Sequence, residues 1–303
     1  MKNSAELLRH AVASLPRARA TAPVGPNWRE TVRKVRDHFD RYPILKPKYA
    51  ENEPRVCQME QEGMVFIENF LAEGEVAALA QRLRPIAADC AHGRLPEKYQ
   101  QKHYQKYGRY RVFEIHKHNP EVKEIFAHPI ITDLVQSYMS QQAVLKTTGL
   151  ELRVQPPSQD AALGDLYPHF DHIYREVKVF LALEDIELKH GPMIYWTRTH
   201  LDGEWRRLPD YLFSLGGLWS NSHIMTEMAI DNLVEHHPEF RQTEIVHCTI
   251  PAGGCYIADT RGLHRAGLLE VGHRLQVIGE FSFKGYERKG VACDNPLQPL
   301  TLG

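Results

Sequence analysis

The sequence has no surplus of charge of either sign and no long apolar run. Its 303 residues include 37 lysines and arginines against 38 aspartates and glutamates, which gives a formal net charge of -1. The chain as a whole therefore lacks the field that attracts nucleic acid or an anionic membrane. No apolar run approaches the roughly 20 residues that a membrane-spanning helix needs. We expect neither a nucleic-acid partner nor a membrane partner.

Cysteine is also scarce, and its spacing excludes two further classes of protein. The five cysteines are scattered and form no Cys-x-x-Cys pair: Cys57, Cys90, Cys248, Cys255 and Cys293. This pattern argues against a disulfide framework and a thiolate zinc site, and it favours a reducing, cytoplasmic compartment. The first 20 residues are rich in Arg and Ala, but Glu6 and Arg9 interrupt any signal-peptide apolar segment.

Hydrophobic periodicity divides the chain into an extension of residues 1–55 and a larger domain of residues 56–303. The extension contains a predicted helix from Asn27 to Arg41. In the larger domain, helices are predicted from Leu71 to Leu83, ending at Pro85, and from Ile131 to Met139. Residues 201–240 have a helix-like pattern, which predicts an insertion that covers one end of the domain.

Strand-like runs dominate the rest of the larger domain. They cover 64–67, 144–154, 177–183, 193–196, 244–250, 254–258 and 274–283, separated by Pro, Gly and Asp clusters. Without intervening helices they predict an antiparallel sandwich or barrel, so the expected class is mainly β with flanking helices.

A polar, aromatic-rich segment lies between these regions, at residues 92–120. Tyr99, Tyr104, Tyr107 and Tyr110 alternate there with Lys and Arg. Such a mixture can stack nucleic-acid bases. Because the chain is neutral, we prefer a mobile loop beside a substrate entrance, or a plain solvated segment.

The count of 17 histidines makes metal chemistry worth testing. Two imidazoles and one carboxylate form the facial triad of non-haem iron oxygenases, and its sequence trace is His-x-Asp with a distant second His. Three His-x-Asp sequences occur, beginning at His38, His169 and His200. The first lies in a predicted helix, where positions i and i+2 point about 200° apart and cannot share a metal. The second follows Pro168, which favours extended geometry with both side chains on one face.

The third His-x-Asp pair remains a rival, although His200 is better explained as a structural histidine at a strand end. The distant histidine is predicted at His264, which follows a strand, and Arg274 lies ten positions further along the chain. A guanidinium facing the same cavity could hold a dicarboxylate. Taken singly, His264 could equally be a core histidine and Arg274 an edge-strand charge.

Four stretches together resemble the phytanoyl-CoA dioxygenase-like family of iron(II)/2-oxoglutarate oxygenases. They are residues 61–71, 169–171, 191–200 and 252–274, and they occur in the order found in that family. The resemblance implies a double-stranded β-helix, a jelly roll of the cupin type. It also implies that His169, Asp171 and His264 bind Fe(II), and that Arg274 pairs with the farther carboxylate of 2-oxoglutarate. Thr197 and Arg198 stand where the family has Pro-Gly.

The resemblance implies a dioxygenase that oxidises an unactivated C–H bond of a small or carrier-tethered substrate and releases succinate and CO2. The presence of Asp171 favours hydroxylation or a related oxidation over halogenation. Lys178 shares a strand face with Ala182 and could help to hold 2-oxoglutarate or an acidic substrate. Arg153, Arg261 and Arg265 are the candidates for contact with an anionic substrate.

Two other functions remain open at this stage. The run Tyr167–His172 is similar to the zinc motif of metallo-β-lactamase-like hydrolases, but Tyr167 replaces its first histidine and the strands and helices do not alternate as in that fold. The second is a jelly-roll binding module without activity. The presence of all three ligands and Arg274 gives that possibility no support.

Overall fold

The computed structural model describes most of the larger domain and none of the first 52 residues. The described residues are 53–100, 103–106, 108–139, 143–154, 166, 168–171, 175–201 and 242–283. The predicted helix at 27–41, nearly all of the 201–240 insertion and the His38–Asp40 pair lie outside them. The first helix runs from Pro54 to Glu62, so the predicted boundary between residues 55 and 56 falls inside a helix.

Five α-helices and ten β-strands make up the described part of the chain. The helices are α1 Pro54–Glu62, α2 Glu73–Ala91, α3 Glu97–Gln100, α4 Pro120–Phe126 and α5 Pro129–Met139, with a 3₁₀ turn at Ile115–Lys117. The strands are β1 Met64–Ile67, β2 His103–Lys106, β3 Arg109–Phe113, β4 Ala143–Val154, β5 Val177–Ala182, β6 Met193–Trp196, β7 Ile245–His247, β8 Cys255–Asp259, β9 His264–Ala266 and β10 His273–Phe283. None of the helices described here combines the length and the apolar character needed to cross a membrane.

The strands form two antiparallel sheets. The larger sheet has seven strands in the order β1-β8-β5-β10-β4-β3-β2, and the smaller has three in the order β7-β6-β9. Most neighbouring strands in the large sheet are far apart in the sequence, which is typical of a jelly roll. The predicted mainly antiparallel architecture is confirmed, and it differs from the alternating strands and helices expected of the hydrolase alternative.

Side-chain alternation gives the large sheet two different faces. One face packs against α1, α2, α4 and α5 in a large apolar core that includes Val179, Ile257 and Val277. The opposite face meets the small sheet in a second core that includes Phe180, Tyr256, Ile278 and, from β6, Tyr195. We call the space between the two sheets the interior.

The prediction that Pro85 ends the second helix is wrong. Helix α2 continues to Ala91 with Pro85 inside it. A proline within a helix costs about 3 kcal/mol or more, because it removes a hydrogen bond and crowds the preceding turn. Leu83, Ala87 and Cys90 are buried on either side of the proline. Their packing on the sheet outweighs that local cost.

The interpretation of residues 92–120 as a mobile or solvated loop is also wrong for much of the segment. Strands β2 and β3 pair with each other, and β3 pairs with β4, which extends the large sheet. Tyr110 and Val112 pack against the helix-side core. Arg109 and Arg111, on the other face of β3, contact the buried carboxylate of Glu151. The alternating polar and apolar residues therefore form a strand whose polar face is buried.

The turn at Arg198 shows how this chain accommodates its departure from Pro-Gly. Arg198 has a φ of 65°, a left-handed conformation that glycine adopts without strain. Its N–H donates to the Glu62 carbonyl oxygen at 3.1 Å, and its guanidinium lies 3.7 Å from the Glu62 carboxylate. The turn is therefore kept despite the substitution, and its contacts are made with the end of α1.

Gly63 joins α1 to β1 at a position that no other residue fits. Its φ is 81°, and a β-carbon there would lie 2.4 Å from the Tyr195 hydroxyl and 2.5 Å from Nδ1 of His200. We expect Gly63→Ala to lower the free energy of unfolding by about 2–4 kcal/mol, from backbone strain and overpacking together.

Gly74 provides the matched control, because a β-carbon there meets nothing within 4 Å and the residue lies in α2. Gly74→Ala should raise stability by up to about 1 kcal/mol. Urea denaturation of both variants measures the difference, and equal stabilities would contradict the crowding at Gly63.

Candidate metal centre

Two short segments that are distant in the chain meet at one end of the interior. His169 and His264 exchange both main-chain hydrogen bonds, each with an N–O distance of 2.8 Å. Two residues further on, the Asp171 N–H donates to the Thr260 carbonyl oxygen at 2.9 Å. These main-chain hydrogen bonds bring His169, Asp171 and His264 next to one another.

The side chains of these three residues also converge. Their possible ligand atoms all lie within 4.8 Å of one another, and no second such cluster occurs among the residues that the structure describes. Nε2 of His264 lies 3.6 Å from one oxygen of Asp171, and Nε2 of His169 lies 3.9 Å from the other. Ligand atoms about 2.1 Å from one ion and on one side of it are about 3 Å apart, so metal binding requires these side chains to move together by roughly 1 Å.

The hydrogen bond on the far side of the His264 ring supports metal binding. Nδ1 of His264 lies 2.9 Å from the Gly262 carbonyl oxygen, an acceptor that requires the proton to be on Nδ1. Nε2 then carries a lone pair that faces Asp171 and His169. A second partner that fixes the tautomer in this way is the usual arrangement for a metal-ligating histidine. The donor set of two imidazoles and one carboxylate suits iron(II).

Lys178 is the charged neighbour of the cluster. Its ammonium group donates to Oδ2 of Asp171 at 2.5 Å and lies 3.7 Å from Glu176 and 3.9 Å from Glu280. Burial opposes the charged form, but the carboxylates of Asp171, Glu280 and Glu176 raise the pKa of Lys178 above its usual range. Lys178 therefore remains an ammonium group beside the cluster. Lys178 was predicted to share a strand face with Ala182. Phe180 and Ala182, on that face of β5, lie in the interior core, in agreement with the prediction.

A group of arginines around Glu151 occupies the sheet face next to Lys178. The Glu151 carboxylate lies 2.7 Å from Arg109, 3.2 Å from Arg111 and 3.6 Å from Arg274. Gln276 donates to it at 3.0 Å. Burial alone would raise the pKa of Glu151, but the surrounding guanidinium groups lower it well below its usual range. The carboxylate is therefore ionised.

Arg274 is buried and faces the interior. Only 4% of the residue is exposed, and it lies on the same face of β10 as Gln276 and Ile278. Its main chain is paired directly opposite Arg153 of β4, which is in turn opposite Arg109 of β3. Three arginines thus occupy neighbouring positions on three adjacent strands.

The remaining predicted site residues have different surroundings. Arg153 is 5% exposed in the row just described, and Arg261 is buried in the loop that precedes His264. Arg265 lies next to His264 on β9, so alternation directs its side chain to the opposite face of that strand. Tyr167 and His172 of the hydrolase-like run lie outside the described residues.

Sequence reasoning missed Glu151, Glu176 and Glu280, the carboxylates that balance the buried cations. Glu151 and Glu280 lie in the long strands β4 and β10, where charged or polar residues that recur on one face, such as Glu151 and Arg153, were the available signal. That signal shows a polar face but does not show whether water or protein covers it.

His200, the first residue of the rival pair, is outside the cluster. It is 2% exposed, and its Nε2 lies 3.2 Å from the Glu60 carbonyl oxygen. Burial lowers the pKa of His200 to about 4. The interpretation of His200 as a structural histidine is confirmed, while Asp202 lies outside the described residues.

Comparison with protein families matches most of the chain. The family described as phytanoyl-CoA dioxygenase matches residues 59–268, which include all three clustered residues. A search of curated proteins finds no match.

Solved structures share the fold over most of their length. The epimerase SnoN, in complex with Fe3+, alpha ketoglutarate and nogalamycin RO, has 16% identity and a TM-score of 0.56, covering 76% of this chain and 82% of that one. EctD from S. alaskensis with bound Fe has 15% identity and a TM-score of 0.56, with 80% and 81% covered. HygX from Streptomyces hygroscopicus, with nickel, 2-oxoglutarate and hygromycin B, has 13% identity and a TM-score of 0.52, with 77% and 88% covered. The predicted double-stranded β-helix is confirmed.

The low pKa of His200 predicts a pH dependence of stability. Its value of about 4 in the folded protein lies below the roughly 6.5 of an unfolded chain. The unfolded state binds the proton first as the pH falls, so the contribution of His200 is complete above pH 6.5 and decreases towards pH 4. We expect it to account for about 2 kcal/mol of the stability lost between pH 7 and pH 5.

Urea denaturation at these two pH values checks this expectation. His200→Gln should show a correspondingly smaller pH dependence than the unmodified protein. His247 is an exposed histidine of β7, and His247→Gln should retain the full dependence. An unchanged pH dependence in His200→Gln would show that other groups cause it.

Proposed function

The chain belongs to the phytanoyl-CoA dioxygenase family, and we propose that it is an iron(II)- and 2-oxoglutarate-dependent oxygenase. The observation that carries this proposal is the convergence of the donor atoms of His169, Asp171 and His264 within 4.8 Å. These residues would be the iron ligands. Three ligands on one side of an iron ion leave adjacent positions for a chelating co-substrate and dioxygen.

In such a site, iron(II) supplies dioxygen activation coupled to the conversion of 2-oxoglutarate to succinate and carbon dioxide. The protein residues bind, orient and exclude water. His264 keeps its proton on Nδ1 through Gly262, so that Nε2 is available as a ligand. Phe180, Tyr256 and Ile278 form an apolar wall of the interior. Such a wall keeps bulk water from the reacting groups.

Arg274 would bind the farther carboxylate of 2-oxoglutarate. Its guanidinium is buried in the interior, and a guanidinium holds a carboxylate with two parallel hydrogen bonds. Lys178 is the second co-substrate candidate. Its 2.5 Å contact with Asp171 supports a role at the metal end of the interior, where it would orient the ligand carboxylate.

For the reaction, we propose hydroxylation, or a related oxidation, of an unactivated C–H bond in a small or carrier-tethered organic substrate. The structural relatives include EctD from S. alaskensis, seen with 2-oxoglutarate and 5-hydroxyectoine, and the epimerase SnoN. Arg153, next to Arg274 in the arginine row, and Arg261, three residues before His264, are the candidates for contact with an anionic part of the substrate. The position of Arg265 on the opposite face of β9 gives it no support in this role.

An anaerobic titration with iron(II) and 2-oxoglutarate tests the metal site and the co-substrate together. We expect a weak visible charge-transfer band in the wild-type protein and none in Asp171→Ala, which lacks the only carboxylate ligand. Asp133→Ala, which removes an exposed aspartate of α5, is the control and should keep the band. A band of full strength in Asp171→Ala would contradict the assignment. So would succinate formation at the wild-type rate in that variant.

The two co-substrate candidates can be separated by kinetics. Arg274→Gln removes a charge-assisted pair worth about 1.5–3 kcal/mol, so the KM for 2-oxoglutarate in succinate formation should rise roughly 10–100-fold. Iron(II) affinity should change little, because Arg274 is not a ligand. The matched control is Arg84→Gln, whose guanidinium is largely exposed and pairs with Glu184 at the surface.

Lys178→Met should have the opposite pattern, with weaker iron(II) binding and a smaller change in KM. A larger rise in KM in Lys178→Met than in Arg274→Gln would transfer the co-substrate role to the lysine.

A further inference from the structure

Asp259 is the last residue of β8, and residues 260–263 connect it to His264, the first residue of β9. One oxygen of its carboxylate accepts a hydrogen bond from the Arg261 N–H at 2.9 Å, and its carbonyl oxygen accepts one from the Gly262 N–H at 2.9 Å. Both bonds close the turn formed by residues 259–262. The conformation of this turn therefore depends on the orientation of the Asp259 side chain.

Two carbonyl groups of this turn contact residues of the His169, Asp171 and His264 cluster. The Gly262 carbonyl oxygen lies 2.9 Å from Nδ1 of His264, and the Thr260 carbonyl oxygen accepts the Asp171 N–H at 2.9 Å. A rotation of either peptide would move one ligand relative to the other. The turn thus sets the orientation of one imidazole and the position of the carboxylate.

The second oxygen of the Asp259 carboxylate is held by Tyr138, which comes from the helical layer. The Tyr138 hydroxyl, at the end of α5, donates to Oδ2 of Asp259 at 2.7 Å. Both residues are completely buried. Burial raises the pKa of Tyr138 far above its usual value, and the Asp259 charge raises it further, so the hydroxyl keeps the proton that it donates.

Tyr138 is itself fixed by charged groups. The Arg175 guanidinium lies 4.5 Å from the centre of its ring and donates to its carbonyl oxygen at 2.9 Å. The same guanidinium makes two hydrogen bonds to the Glu60 carboxylate, at 3.0 and 3.1 Å. The tyrosine is therefore held by helices α1 and α5 together, and its hydroxyl has one defined direction.

We propose that Tyr138 and Asp259 are positioning residues of the metal centre. They act through the 259–262 turn to hold His264 and Asp171 in the geometry that binds metal, and they touch neither metal nor substrate. The proposal rests on the proposed function, since it assumes that these two residues are ligands. Groups that hydrogen-bond to metal ligands typically change metal affinity by about 10–100-fold when replaced, and we expect the same range for a pair that acts on the ligands through one turn.

The test is a titration of the full-length, metal-free protein with Co(II), followed by its visible absorption bands. Tyr138→Phe removes one hydroxyl and should weaken Co(II) binding by about 10–100-fold, with a changed spectrum. Asp259→Asn keeps an oxygen for the Arg261 N–H and presents an amide that can donate to the Tyr138 hydroxyl. It should therefore bind Co(II) within a few-fold of wild type.

Tyr99→Phe is the matched control for a buried tyrosine that loses a hydrogen bond. Tyr99 is 4% exposed, and its hydroxyl accepts a hydrogen bond from Asn119 at 3.1 Å. This variant should lose stability without any change in Co(II) affinity or spectrum. Melting temperatures of all variants separate a loss of stability from a loss of positioning. If Tyr138→Phe does not fold, Tyr195→Phe replaces it, because the Tyr195 hydroxyl donates to the Asp259 carbonyl oxygen at 3.0 Å.

The proposal would be overturned if folded Tyr138→Phe bound Co(II) within twofold of the wild-type affinity and gave the wild-type spectrum. Equal losses in Asp259→Asn and Tyr138→Phe would also overturn it, because the amide preserves the hydrogen-bond geometry. Failure of the proposed function gives a different result. If the wild-type protein binds Co(II) but forms no succinate with iron(II) and 2-oxoglutarate, the enzymatic proposal fails. The ratio of Co(II) affinities still decides the positioning role.

Discussion

The candidate site depends on the reciprocal main-chain pairing of His169 with His264. These two hydrogen bonds, both 2.8 Å long, join the only two segments that contribute to the cluster. They bring the imidazole rings to a centroid separation of 4.4 Å. Two buried imidazoles this close do not repel each other when both are neutral. Protonation of both would add an unfavourable like-charge repulsion. The main-chain pairing thus places side by side two side chains that can both coordinate one cation.

A second constraint is the balance of charge in the interior. A series of contacts runs from Asp171 to Lys178, then to Glu280, Arg111, Glu151 and Arg274, with alternating sign at every step. Removing one member of such a buried series leaves its neighbours uncompensated, which costs about 3–5 kcal/mol in comparable ion pairs. The series also connects the His169, Asp171 and His264 cluster with Arg274, the proposed co-substrate arginine. The series therefore accounts for the buried charged residues Arg111 of β3, Glu151 of β4, and Arg274 and Glu280 of β10.

The sequence predicted those elements in which periodicity and burial agree. Strand β6 has the predicted bounds, and Val177–Ala182 differs by one residue from its prediction. The choice of His169 over His38 followed from helix geometry, and the cluster has the predicted members. Sequence reasoning failed at Pro85, where tertiary packing outweighs a local penalty, and in β3, where buried ion pairs resemble a solvated face. Asp259 and Tyr138 were missed because their contact joins positions 121 residues apart.

If Arg274 binds the co-substrate as proposed, the length of β10 favours an arginine there over a shorter cation. Glu280 pairs opposite Lys178 at the metal end, whereas Arg274 pairs opposite Arg153 at the other end of the same strand. Six residues of a strand span about 20 Å, so a co-substrate anchored at the cluster reaches only part of this distance. The Arg274 guanidinium lies 3.6 Å from the carboxylate of Glu151, which pairs opposite Gln276, two residues nearer the cluster. A second carboxylate, from 2-oxoglutarate, would then approach a guanidinium that is already oriented, at a lower cost in side-chain entropy.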